Sequence, residues 1–283
     1  MIKKTLQDKL LKKFLGQSGI AFGIRVAWAV VSYAGVVFLA RWLDPADYGT
    51  YAFLISLITF LAVVCSFGSP TALIRFLGEY RGQNKSQLIG SVIRVARRSV
   101  AIATVLVALS GAVFFSVWSM VDTGLQPVVF IIGMCLLPAF AMAEVQGAIS
   151  RSFGSVVAAL GPRDVFWRLA LIPLGFFATR YFVKDMQLTV FMSGAVLCLW
   201  LFVACQWVYV RKLLPPAVPQ ASSPDEMSTW RQVAIPIWFA AIAVVSFRTV
   251  DVLFLGVFVS QEDVGKYFAA SRTASLVSFV LIS

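Results

Sequence analysis

The chain alternates long apolar stretches with short polar ones, and the apolar stretches set its layout. A helix needs about 20 largely apolar residues to cross a bilayer. Eight stretches approach or exceed that length: 19–43, 51–67, 99–121, 127–149, 165–183, 186–210, 235–259 and 267–283. The third and sixth hold no charged residue at all. The fifth is the weakest, because Arg168 and Arg180 leave only 169–179 uncharged between them. The pattern predicts an all-α, polytopic membrane protein. Ahead of the first span, Leu6, Leu10, Leu11, Phe14 and Leu15 oppose Lys3, Lys4, Lys9, Lys12 and Lys13. That spacing predicts an amphipathic helix lying on the membrane surface.

A short phrase in the polar punctuation occurs twice. Asp47-Tyr48-Gly49-Thr50-Tyr51 returns as Asp263-Val264-Gly265-Lys266-Tyr267, with Phe38-Leu39 before the first copy and Phe254-Leu255 before the second. Both pairs are offset by 216 positions. Each copy alone reads as a hairpin turn, Asp capping the returning helix and Gly allowing a tight bend. Turn chemistry does not account for the shared register, which predicts two related halves. The segment 213–226, with Pro215, Pro216, Pro219 and Pro224, reads as a flexible linker between them. The expected organisation is an amphipathic segment over 1–18, a six-helix lobe over 19–210, a linker over 211–234 and the start of a second lobe over 235–283. If the halves match, the whole would run to about 432 residues, leaving the second lobe truncated here after two helices.

Charge fixes the expected orientation. With the N-terminus in the cytosol, the inner segments hold seventeen of the 24 Lys and Arg, and the outer ones only Arg41, Arg180, Lys184 and Lys266. Such a bias marks the cytosolic side. The net charge of +11 is therefore a topology signal and not a nucleic-acid footprint. Only 13% of residues are charged and 60% are hydrophobic, which excludes an ordinary soluble domain. Residues 1–16 are too charged for a secretory signal. Cys65, Cys135, Cys198 and Cys205 lack metal or redox spacing and read as small buried hydrophobes.

Charges inside spans are costly in hydrocarbon and face a cavity or a partner. Arg25 lies six residues into the first span, roughly 9 Å deep, and its long side chain can also snorkel to the surface. Glu144, five residues from the inner end of the fourth span, has the same two readings. Arg248 lies near mid-span with Asp251 at i+3 on the same helix face. Either the two neutralise each other and hold helices in register, or Arg248 lines a central cavity with Asp251 as counter-ion or coupling-ion ligand. Arg272 could join that cavity. Arginine binds phosphate with a two-pronged planar fork and keeps its charge, so three in-span arginines against two acids favour an anionic substrate. Pro138 and Pro173 are expected to kink their helices, and Pro236 to open the seventh.

Histidine is absent, and so are Gly-x-x-x-x-Gly-Lys-[Ser/Thr], His-Glu-x-x-His and Gly-x-Ser-x-Gly. The chain is therefore expected not to be an enzyme, and to need no cofactor or metal.

Three stretches carry a family resemblance. Leu39-Ala40-Arg41-Trp42-Leu43-Asp44-Pro45-Ala46-Asp47-Tyr48-Gly49-Thr50-Tyr51 resembles the first hairpin of Wzx-type polysaccharide-biosynthesis flippases, in the multidrug/oligosaccharidyl-lipid/polysaccharide exporter superfamily. Phe67-Gly68-Ser69-Pro70-Thr71-Ala72-Leu73-Ile74-Arg75-Phe76-Leu77-Gly78-Glu79-Tyr80 is similar to the segment after their second span. Residues 248–256 and 263–272 are similar to their seventh and eighth spans. The resemblance implies two six-helix lobes around a cationic cavity in the bacterial cytoplasmic membrane. It also implies ion-coupled movement of an undecaprenyl-pyrophosphate-linked oligosaccharide for O-antigen, capsule or exopolysaccharide. Membrane lipids, a polysaccharide polymerase and chain-length proteins would be its partners. A drug/cation antiporter or lipid II flippase on the same architecture, and a membrane enzyme of polysaccharide assembly, are the alternatives.

Overall fold

The computed structural model describes residues 23, 26–118, 126–214 and 224–282. The expected amphipathic segment over 1–18 lies outside them. The described residues form α1 (Val26–Trp42), α2 (Pro45–Ser66), α3 (Ser69–Gly82), α4 (Ser86–Trp118), α5 (Pro127–Met134) and α6 (Leu136–Ser152). Then come α7 (Val156–Leu160), a π-helical turn (Gly161–Phe166), α8 (Trp167–Tyr181), α9 (Lys184–Leu213), α10 (Pro224–Phe258) and α11 (Gln261–Ile282). No strand occurs among the described residues. Five helical stretches, α2, α4, the α5–α6 pair, α9 and α10, are long and apolar enough to cross a membrane. The chain is thus an all-α polytopic membrane protein, and the described part of each of the eight expected spans falls on helical structure.

Boundaries differ where local chemistry outweighs hydropathy. Helix α10 starts at Pro224, so the later part of the expected linker is helical and Pro236 sits inside the helix. Proline suits the first turn of a helix, where its missing N–H would have no partner anyway. The fourth span breaks at Cys135, just before Pro138, and Trp200 Nε1 donates to the Cys135 carbonyl at 3.1 Å. Cys135 and Cys205 are exposed, unlike Cys65, which corrects the reading of all four as buried. In a membrane helix an exposed thiol faces lipid, which suits its weak polarity.

The repeated phrase is not a turn. Asp47 and Asp263 lie within the first turns of α2 and α11, and neither is the cap. Asp44 precedes α2 with Pro45 at the first position. Ahead of α11, Ser260 Oγ donates to Asp263 Oδ2 at 2.7 Å and accepts the Asp263 N–H at 3.3 Å. The two glycines meet where α2 crosses α11. A Cβ on Gly49 would overlap the Gln261 carbonyl, and one on Gly265 would sit 2.8 Å from Pro45 O and 3.3 Å from Gly49 Cα. Glycine is there for close helix approach, as at small-residue crossings in membranes generally.

Loops collect at two ends. At one, Lys184 pairs with Asp44 at 3.7 Å and Gly49 abuts Gln261. At the other, Arg81 Nη1 donates to Ser152 O at 2.5 Å, Trp230 Nε1 donates to Tyr80 Oη at 2.8 Å, and Ser155 Oγ lies 3.1 Å from Tyr209 Oη. These are the two groupings that the charge pattern assigns to opposite sides. The core centres on α6, whose Leu136, Leu137, Ala139, Ala141, Val145, Ala148 and Ile149 are fully buried. By contrast α10 presents Phe247, 88% exposed, outward, as a lipid-facing helix does.

Candidate functional site

A cavity of about 700 Å³ opens between α1, α2, the α6–α8 segment, α10 and α11. Its position follows from the packing just described. Helix α2 is held by α11 near Gly49 and by α10 near its other end, where Trp238 Nε1 donates to Val64 O at 2.8 Å. Phe67 and Gly68 end α2 in left-handed conformation (φ 49° and 68°), which leaves carbonyls of the last turn without helical partners. The Trp238 indole supplies one such partner. Between those two contacts the helices part, and polar side chains fill the gap.

The cavity wall carries Arg163, Arg168, Arg248 and Arg272 against Glu144 and Asp164. The surplus is cationic. Glu144 Oε1 accepts from Arg163 Nη1, Arg163 Nε reaches Asp164 Oδ1 at 3.0 Å, and Arg151 Nη2 lies 3.7 Å from Glu144 Oε2. That knot uses up both acids. Arg168 Nη1 donates to Ser32 Oγ at 3.0 Å with its guanidinium 5.7 Å from the Trp28 ring centre, and its Nε is buried without a hydrogen-bond partner among the described residues. Tyr48 Oη and Ser56 Oγ, also in the wall, are likewise buried and unpartnered. Arg272 stacks 4.8 Å from the Phe268 ring centre. A buried polar atom without a partner costs free energy that a polar ligand or water could recover.

The π turn explains how Arg163 and Arg168 share one cavity. Five residues apart on an α-helix they would point about 140° away from each other, whereas i→i+5 turns bring such positions toward one side. Pro162 has no N–H to give the Ala158 carbonyl, and Gln206 Nε2 from α9 donates to it at 2.7 Å. Trp167 Nε1 donates to Ala195 O at 2.9 Å, pinning the start of α8 to α9.

The five residues singled out from sequence fare differently. Arg248 and Arg272 line the cavity, and Glu144 lines it as the ion partner of Arg163. Asp251 does not line it. Its Oδ2 accepts from Tyr267 Oη at 2.8 Å, tying α10 to α11, and it forms no ion pair with Arg248. The expected i,i+3 pair is therefore corrected: Tyr267, on the facing helix, takes the carboxylate. Arg25 lies outside the described residues. Sequence reasoning missed Arg163 and Arg168, which it counted as inner-loop charge. The available signal was Arg168 within the weak fifth span, a charge that is tolerated there because it faces the cavity.

A family model described as polysaccharide biosynthesis protein matches residues 17–283. No curated protein matches the chain. A solved structure described only as protein A superposes on 93% of the chain with a TM-score of 0.66 at 14% sequence identity. The chain spans 61% of that structure's length.

Proposed function

The chain belongs to the polysaccharide biosynthesis protein family, and on that footing we propose that it forms the arginine-lined part of a flippase. The cargo is an undecaprenyl-pyrophosphate-linked oligosaccharide, moved from the inner to the outer leaflet of a bacterial cytoplasmic membrane for surface polysaccharide. The N-terminus is cytosolic on this reading, and no covalent bond of the cargo changes. Residues 19–210 form one lobe and 235–283 open a second.

The observation that carries the proposal is the convergence of four arginines on one cavity whose two acids are already engaged. Pyrophosphate offers several anionic oxygens, and guanidinium forks bind them in pairs without losing charge. Tyr48 and Ser56 hold unused hydrogen-bonding capacity for sugar hydroxyls, and Trp28 and Tyr51 add aromatic surface to the same wall. A cavity of about 700 Å³ is in the range of ligand pockets. It takes the pyrophosphate and the first sugars while the polyprenyl tail stays in lipid. A carrier of hydrophobic cations would instead need unpaired acids here.

The test is Arg168→Ala in the full-length protein, reading surface polysaccharide and the amount of inserted protein together. Loss of polysaccharide at normal insertion, with lipid-linked oligosaccharide accumulating in the inner leaflet, is the expected result. Wild-type polysaccharide from the alanine variant would sink the proposal. Arg168→Lys, which keeps the charge and loses the fork, should fall between the two.

A further inference from the structure

A second groove, of about 480 Å³, lies away from the cavity, between the first turns of α4 and the end of α9. Arg94, Arg97, Arg98, Met142, Trp207 and Leu214 are among its walls, and no acidic residue among the described residues lines it. The three arginines sit at i, i+3 and i+4, one face of α4. The Arg97 guanidinium stacks 4.2 Å from the centre of the Trp207 ring, and Arg211 stands 5.5 Å from the same centre. Two cations on one indole repel each other, and a single anion would relieve both. The Nε and Nη2 of Arg97 are buried with no hydrogen-bond partner among the described residues. Charge bias alone explains why arginines gather at this end of the helices. It does not explain a guanidinium turned inward and held against an indole with two nitrogens unmatched.

Beyond the groove the stripe of α4 that carries Arg98 turns apolar and outward, with Ile102, Val105 and Leu109 at i+4, i+7 and i+11 from it. Ile102, Val105, Leu106, Leu109 and Val113 are all exposed, and they recur at helical spacing. On α9, Leu197 and Leu201 are 66% and 65% exposed. A cationic pocket that runs into a lipid-facing apolar track matches an amphiphile with an anionic head and acyl chains. We propose that this groove binds the phosphodiester of an anionic glycerophospholipid, with Arg97 as the forked ligand, Trp207 as its platform, and Arg94, Arg98 and Arg211 at the rim. The acyl chains lie along α4 and α9. The phosphate chemistry would equally suit free phosphate, and the apolar track is what selects the lipid. This site does not depend on the transport reading, since it shares no residue with the cavity.

The test uses the full-length protein in neutral detergent, delipidated, with binding measured by native mass spectrometry. Dioleoylphosphatidylglycerol, dioleoylphosphatidylcholine and inorganic phosphate are the three probes. Phosphatidylglycerol is expected to bind at least tenfold tighter than phosphatidylcholine, with millimolar phosphate displacing little of it. Arg97→Gln should weaken phosphatidylglycerol about tenfold, whereas Arg75→Gln, exposed on α3, should leave it unchanged. If Arg97→Gln does not fold, the exposed Arg211→Gln carries the test with about threefold weakening expected. Equal binding of the two lipids, or unaltered affinity in the Arg97 variant (in the Arg211 variant where that one stands in), overturns the site. Full displacement by inorganic phosphate overturns the lipid assignment.

Discussion

At the scale of single residues, the cavity separates arginines that are spoken for from arginines that are available. Arg163 is held by Glu144 and Asp164, so its charge is largely neutralised within the wall. Arg168 and Arg248 have no acid against them among the ion pairs of the described residues. We expect Arg248→Ala to abolish surface polysaccharide at unchanged insertion, as for Arg168→Ala, with quantitative immunoblotting of membranes as the control. Glu144→Gln should act differently, by freeing Arg163 and Arg151 from their shared carboxylate. Removing one partner of a fully buried pair costs about 3–5 kcal/mol. These side chains are 31% and 26% exposed to the cavity, so about 1–3 kcal/mol is expected, read from thermal unfolding in detergent. For Asp251 the structure changes the expectation. Asparagine at 251 can still accept from Tyr267, so Asp251→Asn should retain polysaccharide. Loss of transport there at normal stability would restore the coupling-ion role.

At the scale of elements, the apolar interior makes each helix irregularity visible, because a carbonyl freed in hydrocarbon has no water to turn to. Two donors from α9 and α10 answer two such places, Gln206 at Ala158 and Trp238 at Val64, and Trp200 adds a bond across the break at Cys135. Hydropathy located the helices but was blind to these breaks, since Gln206, Trp200 and Trp238 look like ordinary span residues in sequence. Trp238→Phe keeps a ring near Phe67, now 5.4 Å centre to centre, and loses only the indole N–H. About 1 kcal/mol of stability should go with it. A thermal midpoint equal to wild type would show that the end of α2 is satisfied by other means. The π turn belongs to the same class of feature. The fifth span beside it was legible as weak, but Gly161-Pro162 read as inner loop, and the carbonyl that Pro162 leaves free is satisfied only from α9.

At the scale of the whole molecule, the two copies of the repeated phrase touch each other. Its spacing in sequence is the basis for expecting two related halves, while its reading as a pair of turns failed, because a glycine needed for helix contact and one needed for a bend look alike in one dimension. Its tyrosines have separate surroundings: Tyr51 is buried in the cavity wall, while Tyr267 is 40% exposed and bonded to Asp251. We expect Gly265→Val to wedge α11 from α2, since even a methyl group there meets backbone atoms that cannot rotate away. Surface polysaccharide should be lost. A membrane-impermeant maleimide added outside should label Val244→Cys in the wedged protein and not in its unwedged parent, in a background without the four native cysteines. Labelling that is the same in both would mean that this crossing does not seal the cavity's outer end. The sequence by itself determined that the chain is helical, that it is embedded in a membrane and which loops group together. Those properties rest on hydropathy and charge bias, which are sums over many residues and survive errors at any one position. Only the tertiary structure decided which charges meet. Whether Arg168 faces a loop or a cavity, or Asp251 takes Arg248 or Tyr267, depends on rotations of a fraction of a helical turn. Those rotations are set by packing against other helices, and no local pattern encodes them.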